Sequence, residues 1–146
     1  MPSFTSGVIA ANTGLDGLAW NILGQTYVPK LHTADAFLWH ATLPPGTFVP
    51  PHIHPTQDEF LHLLEGHLDL RLDGHPASAG PGDVVRLARG TPHGIYNNSG
   101  ETVRTLFMVA PSRRLWDLFV AIDRVADPAE VVRLAAAHEV EFLPPS

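Results

Sequence analysis

The residues best suited to chemistry are histidines and a glutamate, most of them within the segment 46–66. His52 and His54 are two positions apart, and side chains two apart on a strand share a face. Their Cα atoms would lie roughly 6.6 Å apart, close enough for both imidazoles to bind one ion. Glu59 follows after a turn, where a neighbouring strand would bring its carboxylate to the same point, and His93 would come from a distant strand. Taken alone, a His-x-His pair is equally typical of two exposed strand residues.

Three neutral imidazoles and one carboxylate are nitrogen and oxygen ligands that suit a divalent transition metal: Fe, Mn, Ni, Zn, Cu or Co. The combined charge of such a centre is about +1, and an octahedral preference leaves about two positions open. The plausible tasks of such a centre are polarisation of an oxygen ligand, activation of water, and alignment of an organic compound beside dioxygen. We therefore expect one divalent metal ion, with Glu59 both as a ligand and as a catalytic base.

Two spaced motifs support this interpretation. The first contains two glycines that flank three candidate ligands: Gly46, five residues, His52, one, His54, four, Glu59, six, Gly66. The second ends in an asparagine: Gly82, five residues, Ala88, one, Gly90, two, His93, three, Asn97. Together they resemble the paired motifs of the cupin superfamily over about residues 34–110. The one departure is Ala88, where that family usually has proline, and it affects a turn rather than a ligand.

The resemblance implies an all-β fold, a double-stranded β-helix or jelly-roll barrel, with a metal in its mouth. By position, the metal ligands would be His52, His54, Glu59 and His93. The glycines would serve strand turns, and Asn97 would have a structural role. The C-terminal part also resembles single-domain cupins described as quercetin dioxygenase-like.

The rest of the chain predicts a single domain with three regions. Residues 1–33 indicate an N-terminal arm with one or two short strands, and residues 34–110 a barrel core. Residues 111–146 indicate an appendage of two α-helices. The core contains short apolar runs separated by turn signals: 36–43, 59–64, 67–72, 83–87, 93–97 and 103–109.

The appendage carries the helical signals. Apolar residues recur at helical spacing between Leu115 and Val125. Asp127, Pro128 and Glu130 then form the pattern of a capping box that begins a second helix, which ends near residue 138. Residues 140–142 predict a last short strand.

Strand parity predicts the pocket around the metal. Residues an even number of positions apart on a strand have the same parity and point to the same side. Phe48 therefore shares the side of His52 and His54. Leu61 and Leu63 share the side of Glu59, and Ile95 shares the side of His93. Core packing is the alternative for each apolar residue. Gln57 lies in the ligand loop, by which we mean the turn between His54 and Glu59. It is a candidate for a hydrogen bond to substrate or to metal-bound water.

The same parity argument excludes neighbouring polar residues from the site. His62 and His67 should point outward. Asp58 would replace Glu59 only if the strand carried a bulge.

Composition removes several classes of function. The sequence has 15 acidic and 9 basic residues, for a net charge of −6, so nucleic-acid binding is not expected. The absence of cysteine excludes disulfides and thiol catalysis. We expect a cytoplasmic protein, because the sequence shows neither a signal-peptide pattern nor a membrane-spanning run.

The leading hypothesis is an oxygenase resembling quercetin dioxygenase that acts on a small aromatic or enol-bearing compound. The alternatives are a metal-dependent isomerase or lyase of sugars or keto acids, and a non-catalytic module that binds a small ligand. A homodimer is also expected, because the apolar Phe4, Val8 and Ile9 of the arm would be available to cross to a partner.

Overall fold

The computed structural model describes residues 4–144. The outermost positions of the predicted arm and appendage, 1–3 and 145–146, lie outside the described residues. Within residues 4–144, segments between turns form eleven strands and two α-helices, and most of the strands are short apolar runs. The strands are β1 Trp20–Ile22, β2 Gln25–His32, β3 Phe37–Leu43, β4 Phe48–Ile53, β5 Asp58–Glu65, β6 Leu68–Leu72, β7 His75–Ala79, β8 Val84–Leu87, β9 His93–Tyr96, β10 Val103–Ala110 and β11 Glu141–Phe142. The helices are α1 Leu115–Ile122 and α2 Pro128–Ala137.

The strands form two antiparallel sheets, ordered β1-β2-β3-β10-β5-β8 and β11-β4-β9-β6-β7. Side chains alternate between buried and less buried along β3, β5 and β10, as expected of sheets with one face on a core. The buried faces of the two sheets together form the core. Its largest fully buried apolar side chains are Phe37, Leu43, Leu61, Leu63, Leu68, Ile95, Val103 and Val109. The predicted all-β jelly roll with two C-terminal helices is confirmed.

The sequence signals did not fully predict two of the strands, β2 and β7. β2, within the predicted arm, is eight residues long and pairs with β3 from Thr26↔Thr42 to His32↔Phe37. The barrel sheet therefore begins before residue 34. β7 lies in a segment of small and polar residues, so its strand character comes from pairing with β6 rather than from intrinsic propensity.

The motif glycines and Asn97 have the structural roles that were expected. Gly66 has φ +83°, and a Cβ there would lie 2.9 Å from Val103 Cγ2, so the turn into β6 requires glycine. Asn97 is fully buried, and its Nδ2 donates to the carbonyl oxygens of Leu43 and Glu101, each at 2.8 Å. It thereby joins the end of β9 to the end of β3.

The second helix begins as predicted, but its capping box is incomplete. Asp127 Oδ1 accepts a hydrogen bond from the Ala129 backbone N at 3.0 Å, and Pro128 occupies the first helical position. The Glu130 side chain pairs with Arg133 one turn later instead of returning to the Asp127 backbone. An arginine at i+3 thus competes successfully for the capping glutamate.

The arm before β1 is attached to the barrel by the single lysine of the sequence. Lys30 Nζ donates to the carbonyl oxygens of Ala10, Ala11 and Thr13 at 2.7–3.0 Å. Phe4 and Val8 are exposed, and the homodimer stays a prediction. Neither described helix is long and apolar enough to cross a bilayer.

Adjacent leucines on β5 test the assignment of the core. Leu63 is 0% and Leu64 40% exposed. We expect Leu63→Ala to lower the free energy of unfolding by about 2–5 kcal/mol, because it leaves a cavity in a packed core. Leu64→Ala should cost less than about 1 kcal/mol. Urea denaturation followed by circular dichroism measures both, and equal losses would contradict the core described above.

Candidate metal centre

The four predicted ligands meet at one point inside the barrel. His52 lies on β4 opposite His93 on β9, His54 follows β4 directly, and Glu59 is the second residue of β5 in the other sheet. All four are buried, and one ligand atom from each lies within 4.8 Å of the others. We call these residues the four-ligand group. Its geometry excludes the alternative that His52 and His54 are merely exposed strand histidines.

The backbone sets the orientation of two imidazoles. His52 Nδ1 lies 2.9 Å from the Pro50 carbonyl oxygen, and His93 Nδ1 lies 3.0 Å from that of Thr91. A carbonyl only accepts hydrogen bonds, so Nδ1 carries the proton in each ring. Each Nε2 is left with a lone pair directed away from the backbone, the usual arrangement of a metal-binding histidine.

Gln57 orients the third imidazole. Its Nε2 donates to the carbonyl oxygens of Pro111 at 3.1 Å and Ser112 at 2.8 Å, which fixes the direction of the amide. Its Oε1 therefore faces His54 Nδ1 at 2.9 Å and accepts from it. Gln57 is buried behind His54, and both of its polar atoms bond to the protein. These contacts let Gln57 orient His54, and contact of Gln57 with substrate stays a prediction.

The four-ligand group places hydrogen-bond acceptors against one another. Glu59 Oε2 lies 2.9 Å from His54 Nε2 and 3.3 Å from His93 Nε2. Within the described part of the chain, Glu59 Oε2 and His93 Nε2 are nevertheless buried without a hydrogen-bond partner. Unpartnered buried polar atoms are costly, and a cation among them removes that cost. The nitrogen and oxygen ligand atoms and their orientation thus fit a divalent transition-metal ion.

The pKa values of the ligands agree with this fit. Burial, and then the neighbouring His93 and His54, lowers the pKa of His52 to about 3, so this ring stays neutral. Burial alone would raise the pKa of Glu59, but the opposing electrostatic influence of His54, and then of His93, holds it well below its usual value. Burial likewise opposes protonation of His54, yet Glu59 outweighs it and raises the pKa of His54.

A cavity of about 120 Å³ adjoins the four-ligand group. Phe48 and Ile95 border it, as predicted. Leu61 and Leu63 do not: both are fully buried further along β5, where the core replaces the pocket. For these two residues, the alternative of core packing is correct. Parity identified the inward face, but not where along the strand the cavity ends.

The cavity wall also contains residues that the sequence did not point to. Gln25 and Tyr27 on β2 border it, as do apolar residues of both helices, including Phe119 and Val131. The alternation of Gln25 and Tyr27 is a strand signal, but the sequence predicts only that their segment belongs to the arm. The helices therefore cover the cavity, a position that helical periodicity alone did not give.

The polar residues excluded by parity lie outside the site. His62 and His67 are exposed. Asp58 faces away from Glu59 and accepts hydrogen bonds from the Arg89 backbone N at 2.9 Å and from its guanidinium group. β5 is therefore continuous in alternation at the ligand position.

Comparisons with known proteins agree with this architecture. Residues 39–109 match the Cupin domain family. The chain is 35% identical over 77 residues to the tetracenomycin polyketide synthase protein TcmJ of Streptomyces glaucescens. That match covers 53% of this chain and 52% of TcmJ, so the chain spans about half the length of this curated relative.

Two solved structures have the same fold. KdgF from Halomonas sp. matches with a TM-score of 0.65 at 20% identity, over 76% of this chain and 99% of that one. The polyketide cyclase RemF from Streptomyces resistomycificus matches with a TM-score of 0.62 at 22% identity, over 75% and 81%. Two paired motifs, a jelly roll and a buried His₃Glu group thus coincide with the family match, and residues 39–109 of this chain form a cupin domain.

Proposed function

We propose that this chain is a metal-dependent enzyme that acts on small neutral compounds with enolisable carbonyl or phenolic groups, the chemistry of aromatic polyketides. The observation that carries the proposal is the four-ligand group beside a largely apolar cavity. The polyketide names of TcmJ and RemF support the same class of compound.

Charge favours this class over sugar phosphates and keto acids. A divalent ion with Glu59 leaves a charge of about +1, which one enolate or phenolate oxygen neutralises. Among the described residues bordering the cavity there is no lysine or arginine, and Glu59 is the only acid. A phosphate or a second carboxylate would find no cationic partner there. This disfavours the isomerase or lyase alternative.

The residues of the four-ligand group and of the cavity wall have different roles in the proposed reaction. A bound divalent ion would supply Lewis-acid polarisation of the substrate oxygens. His52, His54 and His93 hold their Nε2 atoms toward one point, and their Nδ1 contacts keep them there. Glu59 stays ionised, so its carboxylate can accept a proton from a carbon next to a carbonyl, such as the terminal methyl carbon of a triketone. The apolar wall excludes water, which strengthens each charge interaction inside.

Ring closure is the reaction that we propose. Loss of a proton to Glu59 gives an enolate whose carbon attacks a second carbonyl of the same molecule, and loss of water then forms an aromatic ring. Oxygenation, the leading hypothesis from the sequence, is the second candidate, because an apolar cavity also suits dioxygen. Both begin with the same enolate.

Metal uptake tests the four-ligand group. Below its raised pKa, His54 takes up a second proton at Nε2, beside Glu59, and a metal ion must displace that proton. The affinity for Co(II) or Ni(II) should therefore rise as the pH rises through the raised pKa of His54. Titration calorimetry in two buffers of different ionisation enthalpy should give about one proton released per ion.

His52→Ala should weaken metal binding by more than about 100-fold, a larger loss than that for residues behind a ligand. Unchanged affinity would exclude the site, and His62→Ala is the matched control.

Substitution of Gln57 tests its positioning role. Gln57→Met removes the acceptor for His54 Nδ1 and should lower metal affinity about 10- to 100-fold. Gln57→Glu keeps an acceptor beside His54 and should recover part of that affinity, although it no longer donates to both carbonyls. Equal affinity in all three proteins, measured by calorimetry, would show that Gln57 does not orient His54.

The reaction is tested with heptane-2,4,6-trione, a small triketone whose ring closure gives orcinol and one water. The metal-loaded protein should form orcinol at equal rates with and without dioxygen, and Glu59→Gln should lower the rate by at least about 100-fold. Quercetin, in the same two atmospheres, tests oxygenation.

The outcomes separate the candidates. Conversion only in air, with dioxygen consumed, would replace ring closure by oxygenation. Binding without conversion of either compound would favour the non-catalytic module. The metal content of Glu59→Gln is measured in parallel, so that loss of the ion is distinguished from loss of the base.

A further inference from the structure

Two polar side chains outside the four-ligand group border the apolar cavity. Gln25 and Tyr27 lie two apart on β2, on the face that points into the barrel, and are 1% and 4% exposed. The proposed function assigns no role to either residue. Polar groups in an otherwise apolar pocket commonly fix the orientation of a ligand.

Hydrogen bonding fixes which of these groups donates. Gln25 Nε2 donates to the Phe48 carbonyl oxygen at 3.1 Å, so its Oε1 points the other way. Tyr27 Oη donates to that Oε1 at 2.7 Å. Turning the amide over would set its oxygen against the Phe48 carbonyl, two acceptors in contact. The Tyr27 proton is therefore committed to Gln25, and Tyr27 Oη is left as an acceptor.

The surroundings of Tyr27 leave that acceptor available. Its ring lies 6.0 Å from Trp39, 6.3 Å from Phe107 and 5.0 Å from Phe119 between ring centroids. No donor from the described residues hydrogen-bonds to Tyr27 Oη. Burial and the charge of Glu59 raise the pKa of Tyr27, so the phenol keeps its proton and does not act as a base.

We propose that Tyr27 is a specificity-determining residue: its Oη accepts a hydrogen bond from a hydroxyl group of a substrate whose enolic oxygens bind at the four-ligand group. Gln25 is the positioning residue that keeps the Tyr27 proton turned away. This inference rests on the proposed function and narrows it to compounds with a free hydroxyl besides the metal-binding oxygens. An isostere that lacks this hydroxyl leaves Tyr27 Oη unpaired in a dry site, which disfavours its binding.

Two one-ring enolic chelators test this directly. Kojic acid carries a hydroxymethyl group where allomaltol carries a methyl group, and their metal-binding oxygens are the same. Calorimetry with the Ni(II)-loaded protein should show kojic acid bound about 2- to 12-fold more tightly, the contribution of one net hydrogen bond. Tyr27→Phe should reduce this ratio to about 1. A purely structural role of Tyr27 would lower both affinities and leave the ratio unchanged.

Two further variants complete the design. Tyr96→Phe removes the other tyrosine hydroxyl, outside this cavity, and should leave the ratio unchanged. Gln25→Met frees the Tyr27 proton for donation, so it should raise the affinity for the methyl ether of the kojic acid hydroxymethyl group, which only accepts, relative to allomaltol. This result stands even if Tyr27→Phe does not fold, and an unchanged affinity for the ether would contradict the assignment of the Tyr27 proton to Gln25. Equal binding of kojic acid and allomaltol to the unaltered protein would overturn the role of Tyr27 and leave the proposed function intact. Failure of both to bind would overturn both proposals.

Discussion

Three imidazoles and one carboxylate lie buried together with their acceptor atoms facing one point, and much of the structure serves this arrangement. Removing such groups from water without a partner is costly, so the cluster calls for a cation. Backbone carbonyls and the Gln57 amide occupy each Nδ1, which leaves only Nε2 facing the centre. The protein thereby commits its donors to the outside of the site and its acceptors to the inside.

The two-sheet barrel is what brings these ligands together. β4 and β9 are neighbours in one sheet, while β5 belongs to the other, so Glu59 faces the histidines across the interior. The Gly90 backbone N donates to the His54 carbonyl oxygen at 3.0 Å, which ties the turn before His93 to the ligand loop. A shift of one residue in either register would turn a ligand to the outside.

The helices complete the site by closing the cavity. α1 packs its Phe119 ring against Trp20, Tyr27 and Trp39, with centroids 5.0–5.7 Å apart. The same aromatic cluster thus forms the core, the cavity wall and the attachment of the helical cover. Gln57 adds a polar link, because the carbonyls that it holds lie just before α1. The ligand loop and the cover are therefore mechanically connected.

Much of this protein was determined by the sequence itself. The alternation and turns of residues 34–110 predict the barrel strands, and the spacing of the histidines and Glu59 predicts the ligands. The strand signals and the His52–His54 pair are local, because strand parity and turn chemistry depend on neighbours in the chain. The assignment of the distant His93 as a fourth ligand depended on the resemblance of both motifs to those of cupins.

The tertiary structure decided what depends on residues distant in sequence. β7 is a strand because it pairs with β6, although its small and polar residues give a weak strand signal. β2 alternates in its own sequence, but only its pairing with β3 shows that it belongs to the barrel sheet. Leu61 and Leu63 share the face of Glu59, yet only packing decides that the cavity stops before them. Gln57 became a positioning residue because Pro111 and Ser112, more than fifty positions away, hold its amide. Periodicity shows which face of a strand points inward, but three-dimensional packing determines what that face meets.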